Sequence, residues 1–314
     1  MLNFLLRRIV YMIPTLLGVS FVVFMLIQIV PGNPVDALLP PEASQEAKEN
    51  MIRDLGLDRP LLLQYMNWLG KVVQGDFGQS IIKKYSINEL MGEALANSML
   101  LALASSLFSF FFAVLLGVYA AYRPNSWVAS LGNMLAICGI SVPNFWGGLI
   151  LMGVFGIMLG WLPPMGMTSM GGGGFLDVLA HLVLPAVAAG MVTLGTMTRM
   201  VRSNVYELLN QEFVLTLRAK GARPITILLH VMKNATPPIL TVAGLQFGNL
   251  LGGSVLVETV FSWPGLGHLI YQGITQRDYP IIQAGILVIS IFFVVLNIIV
   301  DALHALIDPK VQRV

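Results

Sequence analysis

Hydrophobic and polar positions along this chain fall into long blocks rather than the short periods of a soluble fold. Runs almost free of charge occupy residues 9–30, about 98–122, part of 127–176, about 181–198, about 235–257 and about 281–300. A helix crosses a bilayer with about 20 residues, so the pattern predicts an all-α polytopic membrane protein with six transmembrane helices. Residues 127–176 hold no Asp, Glu, Lys or Arg. One crossing fits there, ending near residues 161–164, and a re-entrant piece around Pro143 stays open. Domain organisation follows as an N-terminal tail and first helix (1–30), an extracytoplasmic loop domain (31–97) and a five-helix core (98–314).

Finer periods predict the elements between the spans. Pro31 and Pro34 stop the first helix. Residues 45–55 read as a helix, with Glu49 and Arg53 at the favourable i,i+4 spacing and Gly56 at its end. Leu61, Tyr65, Trp68, Leu69 and Val72 form an apolar stripe on a second helix, set to pack on the domain or lie in the membrane interface. Ser86 and Glu89 have the spacing of a capping box ahead of the next span. In that span Ser98, Ala102, Ser105 and Ser109 make a small-residue face suited to close packing. Gly244, Gly248 and Gly252 repeat that device in the fifth span. Pro264 and Gly265 read as a turn pair in an outer loop.

Composition agrees with the blocks. Apolar residues make up 56% of 314 and charged residues 11%, against about 25% charged in soluble domains. Net charge is only +2, and its distribution carries the information. Residues 199–233 form a strongly basic connection, with Arg199, Arg202, Arg218, Lys220, Arg223 and Lys233, and the positive-inside rule places it in the cytoplasm. Both termini then lie inside. The first outer loop is acidic, with nine Asp/Glu against six Lys/Arg in residues 31–97. Within the basic connection, Glu212 to Lys220 reads as a short helix ended by Gly221 in a left-handed conformation, and Pro224 starts another. Such a helix–glycine–helix elbow is either a docking device or an ordinary basic loop.

No site for enzyme chemistry is visible. A single Cys excludes a disulfide framework, and Cys138 sits in an apolar run. His181, His230, His268 and His304 are scattered, so no metal site is expected. There is no phosphate-cradling loop of the Walker type, so any ATP that drives the protein binds to another polypeptide. Asp and Glu are missing from all six spans, which argues against a carrier coupled to protons or ions. Neutral polar stripes remain. Gln246, Asn249 and Gly253 share one face of the fifth span, and Gln283, Ser290 and Asn297 one face of the sixth. Each can line a pathway or bind a neighbouring helix.

Arg218-Ala219-Lys220-Gly221-Ala222, followed by His230, Asn234, Ala235 and Pro238, resembles the coupling (EAA) loop of ATP-binding-cassette (ABC) importer permeases of the peptide/nickel family. The likeness extends over nearly the whole chain. It includes Val30 to Pro34, Leu55 to Pro60, Gly75-Asp76-Phe77-Gly78 with Ser80, Gly139 to Phe145, and Gly244 to Gly248. It continues through Glu258, Trp263-Pro264-Gly265-Leu266-Gly267 and Arg277-Asp278-Tyr279-Pro280. The chain departs from the family at Leu215, Thr216 and Leu217, which stand where Glu-Ala-Ala gives the loop its name.

The resemblance implies a type I ABC importer permease fold in the cytoplasmic (inner) membrane, transporting di- or oligopeptides or related small solutes. It implies as partners a second homologous permease, two ATP-binding subunits that hold ATP and Mg, an extracytoplasmic solute-binding protein and the lipid bilayer, with no nucleic acid. The chain itself binds no cofactor and is not an enzyme. Glu212, Arg218, Ala219, Lys220, Gly221, Ala222 and Pro224 would form the ATPase coupling loop. Gln246 and Asn249 would line the pathway, and Glu258, Trp263, Pro264 and Gly265 would lie near the outer gate. The alternatives are a stand-alone secondary transporter, or a nickel or metal-chelate permease of the same family.

Overall fold

The computed structural model describes residues 2–29, 44–54, 56 and 58–307. The expected helix stop at Pro31 and Pro34, and the basic C-terminal tail, lie outside the described residues. The described regular structure is helical: α1 (Leu2–Ile29), α2 (Gln45–Asp54), α3 (Leu61–Val73), α4 (Ile87–Tyr122), α5 (Trp127–Ser141) and α6 (Asn144–Leu151). A π-helical turn (Met152–Met158) follows, then α7 (Phe175–Leu209), α8 (Glu212–Ala219), α9 (Pro224–Gly253), α10 (Val255–Val260), α11 (Leu266–Gln276) and α12 (Tyr279–Ile307).

Among these residues four helices are long and apolar enough to span: Val10–Ile29, Ile87–Tyr122, Phe175–Leu209 and Tyr279–Val300. A fifth arises if α5 and α6 with its π turn form one broken span, bent by 111°. The break falls at Val142 and Pro143, where Pro disfavours helix in the residue before it; Val142 is extended at ψ 123°. The re-entrant alternative around Pro143 therefore has a real bend behind it. The expected fifth span, residues 235–257, is not a separate apolar helix. Its helix starts at Pro224 in the basic segment and ends at Gly253, and Lys233, Asn234, Gln246 and Asn249 dilute it.

Two helices overrun their predicted ends. α4 has 36 residues, about 54 Å at 1.5 Å per residue, and so exceeds a hydrocarbon layer of about 30 Å. α7 has 35 residues and carries Arg199 and Arg202 inside it, so residues 199–209 are helix and not loop.

The chain divides into two compact units. One comprises residues 6–98 and 264–294. Its core joins Ile87, Met91 and Ala94 of α4 to Leu266, Leu269, Ile281 and Ala284. The stripe on α3 packs inside this unit: Tyr65 is buried, its ring meets Phe21 and Phe24 of α1, and its hydroxyl lies 2.9 Å from Ser20 Oγ.

The other unit contains residues 99–263. Its main core gathers Ala113, Met197, Val201, Val205, Val214, Ile227 and Val231 from α4, α7, α8 and α9. The small-residue face of α4 is buried as expected, and within this unit the Ser109 hydroxyl donates to Gly190 O at 2.9 Å. α5 and α7 pack backbone to backbone: a Cβ on Gly139 would stand 2.5 Å from Met191 O, and one on Gly195 would collide with Ala136 O.

Candidate coupling elbow and translocation face

The elbow of the basic segment is built as its residues dictate. α8 follows α7 after Asn210 and Gln211, and buries Val214 in the same core as Val205, Ile227 and Val231. That anchor leaves Glu212, Arg218, Ala219 and Lys220 exposed. The helix ends one residue earlier than expected, at Ala219, with Lys220 at its C-cap. Gly221 adopts φ +72°, the left-handed region that a residue with a Cβ occupies only at a cost. Its N–H donates to Arg218 O at 2.9 Å, and Ala222 N–H donates to Leu217 O at 3.0 Å. Those two bonds make a Schellman end, which satisfies carbonyls that the helix would otherwise leave open. Arg223 is then extended at ψ 148°, and Pro224 opens α9 where its missing N–H costs nothing. α9 runs from there to Gly253, with Pro237 and Pro238 inside it, so the elbow lies on the same helix as Gln246 and Asn249.

Those two amides are partners of each other, Asn249 Nδ2 donating to Gln246 Oε1 at 3.3 Å. Gln246 is half-buried and Asn249 exposed. The glycine stripe expected to pack beside them is not uniform. A Cβ on Gly244 would stand 2.5 Å from Val300 Cγ1, whereas one on Gly252 would meet open space. Gly252, Gly253 and Asn249 thus leave the C-terminal part of α9 bare on one side.

The residues expected near an outer gate are divided between the two units. Glu258 and Trp263 are fully buried in one. Ser254 Oγ donates to Glu258 Oε1 at 2.9 Å, and Trp263 N–H donates to Glu258 O at 2.8 Å. The Trp263 ring fills a cluster with Leu101, Leu182 and Ala186. Pro264 and Gly265 belong to the other unit, where Asn97 Nδ2 donates to Pro264 O at 2.9 Å. Gly265 is not the left-handed residue of a turn; it has φ −97°, and it serves as N-cap of α11. Ser262 holds the left-handed position instead, at φ +49°. Sequence reasoning also missed Asp278, a buried carboxylate that binds the segment beginning at Ser80. Its signal was the quoted motif from Arg277 to Pro280, read there without a partner.

Long apolar helices, with an exposed basic elbow leading into a helix that carries polar side chains, define a polytopic membrane protein. The comparisons give the family. The profile described as "Binding-protein-dependent transport system inner membrane component" matches residues 113–313, and its N-terminal counterpart matches residues 1–98. The glutathione transport system permease protein GsiC of Salmonella typhimurium is 38% identical over 99% of both chains. The oligopeptide permease AppB of Bacillus subtilis is 38% identical over 99% of this chain and 100% of its own. The dipeptide permease DppB of Alkalihalophilus pseudofirmus is 37% identical over the same shares. An inward-facing structure of the MetNI methionine ABC transporter has TM-score 0.55 and 19% identity, covering 70% of this chain and 96% of its own. The chain belongs to the family of binding-protein-dependent transport inner-membrane components, with the type I ABC importer permease fold. It is a multi-pass inner-membrane permease subunit, and ATP hydrolysis in such importers lies on other subunits.

Proposed function

We propose that this chain forms one half of the transmembrane pathway of an importer for di- or oligopeptides or related small solutes such as glutathione. The observation that carries the reading is the 37–38% identity to peptide and glutathione permeases over essentially the full length. In this reading six crossings, with the bent α5–α6 pair and α9 each counted once, leave both termini in the cytoplasm. Residues 31–97 face outward, and 98–314 form the permease core. A second homologous permease completes the pathway, two ATPase subunits carry ATP and Mg, and an extracytoplasmic binding protein delivers the solute.

Glu212, Arg218, Ala219, Lys220, Gly221, Ala222 and Pro224 would dock on an ATPase. Closure of the two ATPases would draw the elbows together, and the continuous α9 would carry that displacement to Gln246 and Asn249. The segment from Glu258 to Gly265 would move with the outer gate. Reconstitution of the complete complex in liposomes tests the reading: ATP-dependent peptide uptake that requires the binding protein is the expected result. Uptake by this chain without any ATPase subunit would overturn it.

A further inference from the structure

A cavity of about 390 Å³ opens on α7, lined by Ile140, Thr196, Arg199, Met200 and Ser203. Thr196, Arg199 and Ser203 stand at i, i+3 and i+7, and so share one helical face. The opposite face of the same turns, with Met197, Val201 and Val205, is buried in the core. Arg199 is therefore fixed by its helix to look into the cavity, and it is exposed there. No Asp or Glu lines the cavity, and no ion pair of Arg199 occurs among the described residues.

The packing of α5 on α7 gives the depth. Gly139 abuts Met191 and Gly195 abuts Ala136, so the two helices run antiparallel in fixed register. At 1.5 Å per residue Ala136 lies roughly 13 Å along α5 from Trp127, and Arg199 lies about 6 Å back from Gly195. Arg199 thus stands roughly 8 Å along α5 from Trp127, beside that uncharged helix rather than beyond its end. After Asp177 and His181 it is the first titratable group on α7. A charge in that position is costly in hydrocarbon, and it persists where it meets a wet cavity or an anion.

We propose that Arg199 binds the carboxylate of the transported solute, with Thr196 and Ser203 beside it, as a recognition point in the inner half of the pathway. This deepens the peptide-importer reading and rests on it. The chemistry is that of a planar guanidinium fork, which grips a carboxylate through two parallel hydrogen bonds. A cavity that presents Arg199, with Arg202 one turn further along the helix and no acidic lining residue, selects the carboxylate end of a peptide over its ammonium end. The neutral amides Gln246 and Asn249 offer no such discrimination.

The test uses the complete complex in liposomes, with uptake of alanyl-alanine and glutathione compared with uptake of their C-terminal amides at matched occupancy of the binding protein. Arg199→Gln is expected to lower uptake of the free acids about tenfold and that of the amides far less, with Arg199→Lys between the two, since it keeps charge but loses the fork. An equal loss for acid and amide, or none, overturns the carboxylate assignment and leaves the peptide reading standing. Failure of the wild-type complex to import any of these peptides overturns the peptide reading, and the assignment with it. A second measurement dispenses with the binding protein. In the ATP-free complex with Cys138→Ser, a cysteine substituted at Ser203 is expected to be shielded from a water-soluble thiol reagent by alanyl-alanine and not by its amide. Arg199→Gln is expected to abolish that shielding; equal shielding by acid and amide overturns the assignment.

Discussion

The Ser80 hydroxyl donates to Asp278 Oδ2 at 2.5 Å, joining two residues 198 positions apart within one compact unit. Asp278 also accepts from the backbone N–H groups of Ile82 at 3.1 Å and Ile81 at 3.3 Å. Ser80 Oγ in turn accepts from Lys83 N–H at 2.8 Å. One fully buried carboxylate thus holds the turn at Ser80 against the N-terminal end of α12. Replacing Asp278 by Ala removes the acceptor of three donors, the buried Ser80 hydroxyl and two partly buried N–H groups; a buried group left unsatisfied costs about 1–3 kcal/mol. Asp278→Ala is expected to lower the heat stability of the detergent-solubilised complex sharply, and Ser80→Ala to lower it less. A melting curve unchanged by Asp278→Ala would show that water replaces the carboxylate at no cost.

At Gly221 the constraint is conformational and not spatial, because a Cβ there would meet nothing within 4 Å. The left-handed backbone costs an ordinary residue about 1–2 kcal/mol, and a β-branched one more. Gly221→Val is expected to leave membrane insertion intact and to uncouple solute-stimulated ATP hydrolysis from uptake. Gly221→Asn, which tolerates φ > 0, is expected to retain most of the coupling. Uptake and ATPase rates equal to wild type in the Val variant would remove the elbow from the coupling path.

Two glycines that look alike in sequence are expected to answer oppositely to one methyl group. Gly139→Ala places its Cβ against Met191 O and should destabilise the complex by about 1–3 kcal/mol, as overpacking does. Gly252→Ala enters open space and should be stability-neutral in this chain. If Gly252→Ala instead prevents assembly with the second permease, the bare end of α9 is an interface between the two subunits. Thermal denaturation and co-purification of the same two variants read these outcomes.

Topology is open to single cysteines in a Cys138→Ser background, which is required because Cys138 is itself exposed. Cysteines at the exposed positions Glu49 and Arg218 are expected to react from opposite sides of the membrane with an impermeant reagent. Reaction of both from outside would reverse the assignment of the acidic and basic segments.

Gln246 separates a pathway lining from interhelical glue. If its amide faces a hydrated cavity, water already satisfies it. Gln246→Leu should then impair uptake more than stability, and a cysteine there should react differently in the ATP-bound and ATP-free states. A cysteine unreactive in both states, with a Leu variant that falls apart, would assign Gln246 to packing.

Sequence alone determined what depends on neighbours along the chain. Blocks without charge become spans because an unpaired charge is costly in hydrocarbon. The basic segment becomes the exposed elbow for the same reason. Gly221 and Pro224 mark its bend because each fixes its own backbone: glycine alone is easy at φ +72°, and proline alone lacks the N–H that a first turn leaves unused. The motifs from Arg218 to Pro280 carried the family resemblance on the same local footing.

Tertiary structure decided what depends on partners distant in sequence. It extended α7 through Arg199 and Arg202, because packing of Val201 and Val205 on α4 and α9 holds as helix a stretch that charge marked as loop. It left Gly252 bare while closing Gly244 on Val300. It brought Ser80 to Asp278, a pairing that no periodicity announces. Helix ends, close approaches and buried polar pairs are settled by what lies across the interface, and a linear pattern lists only one side of it.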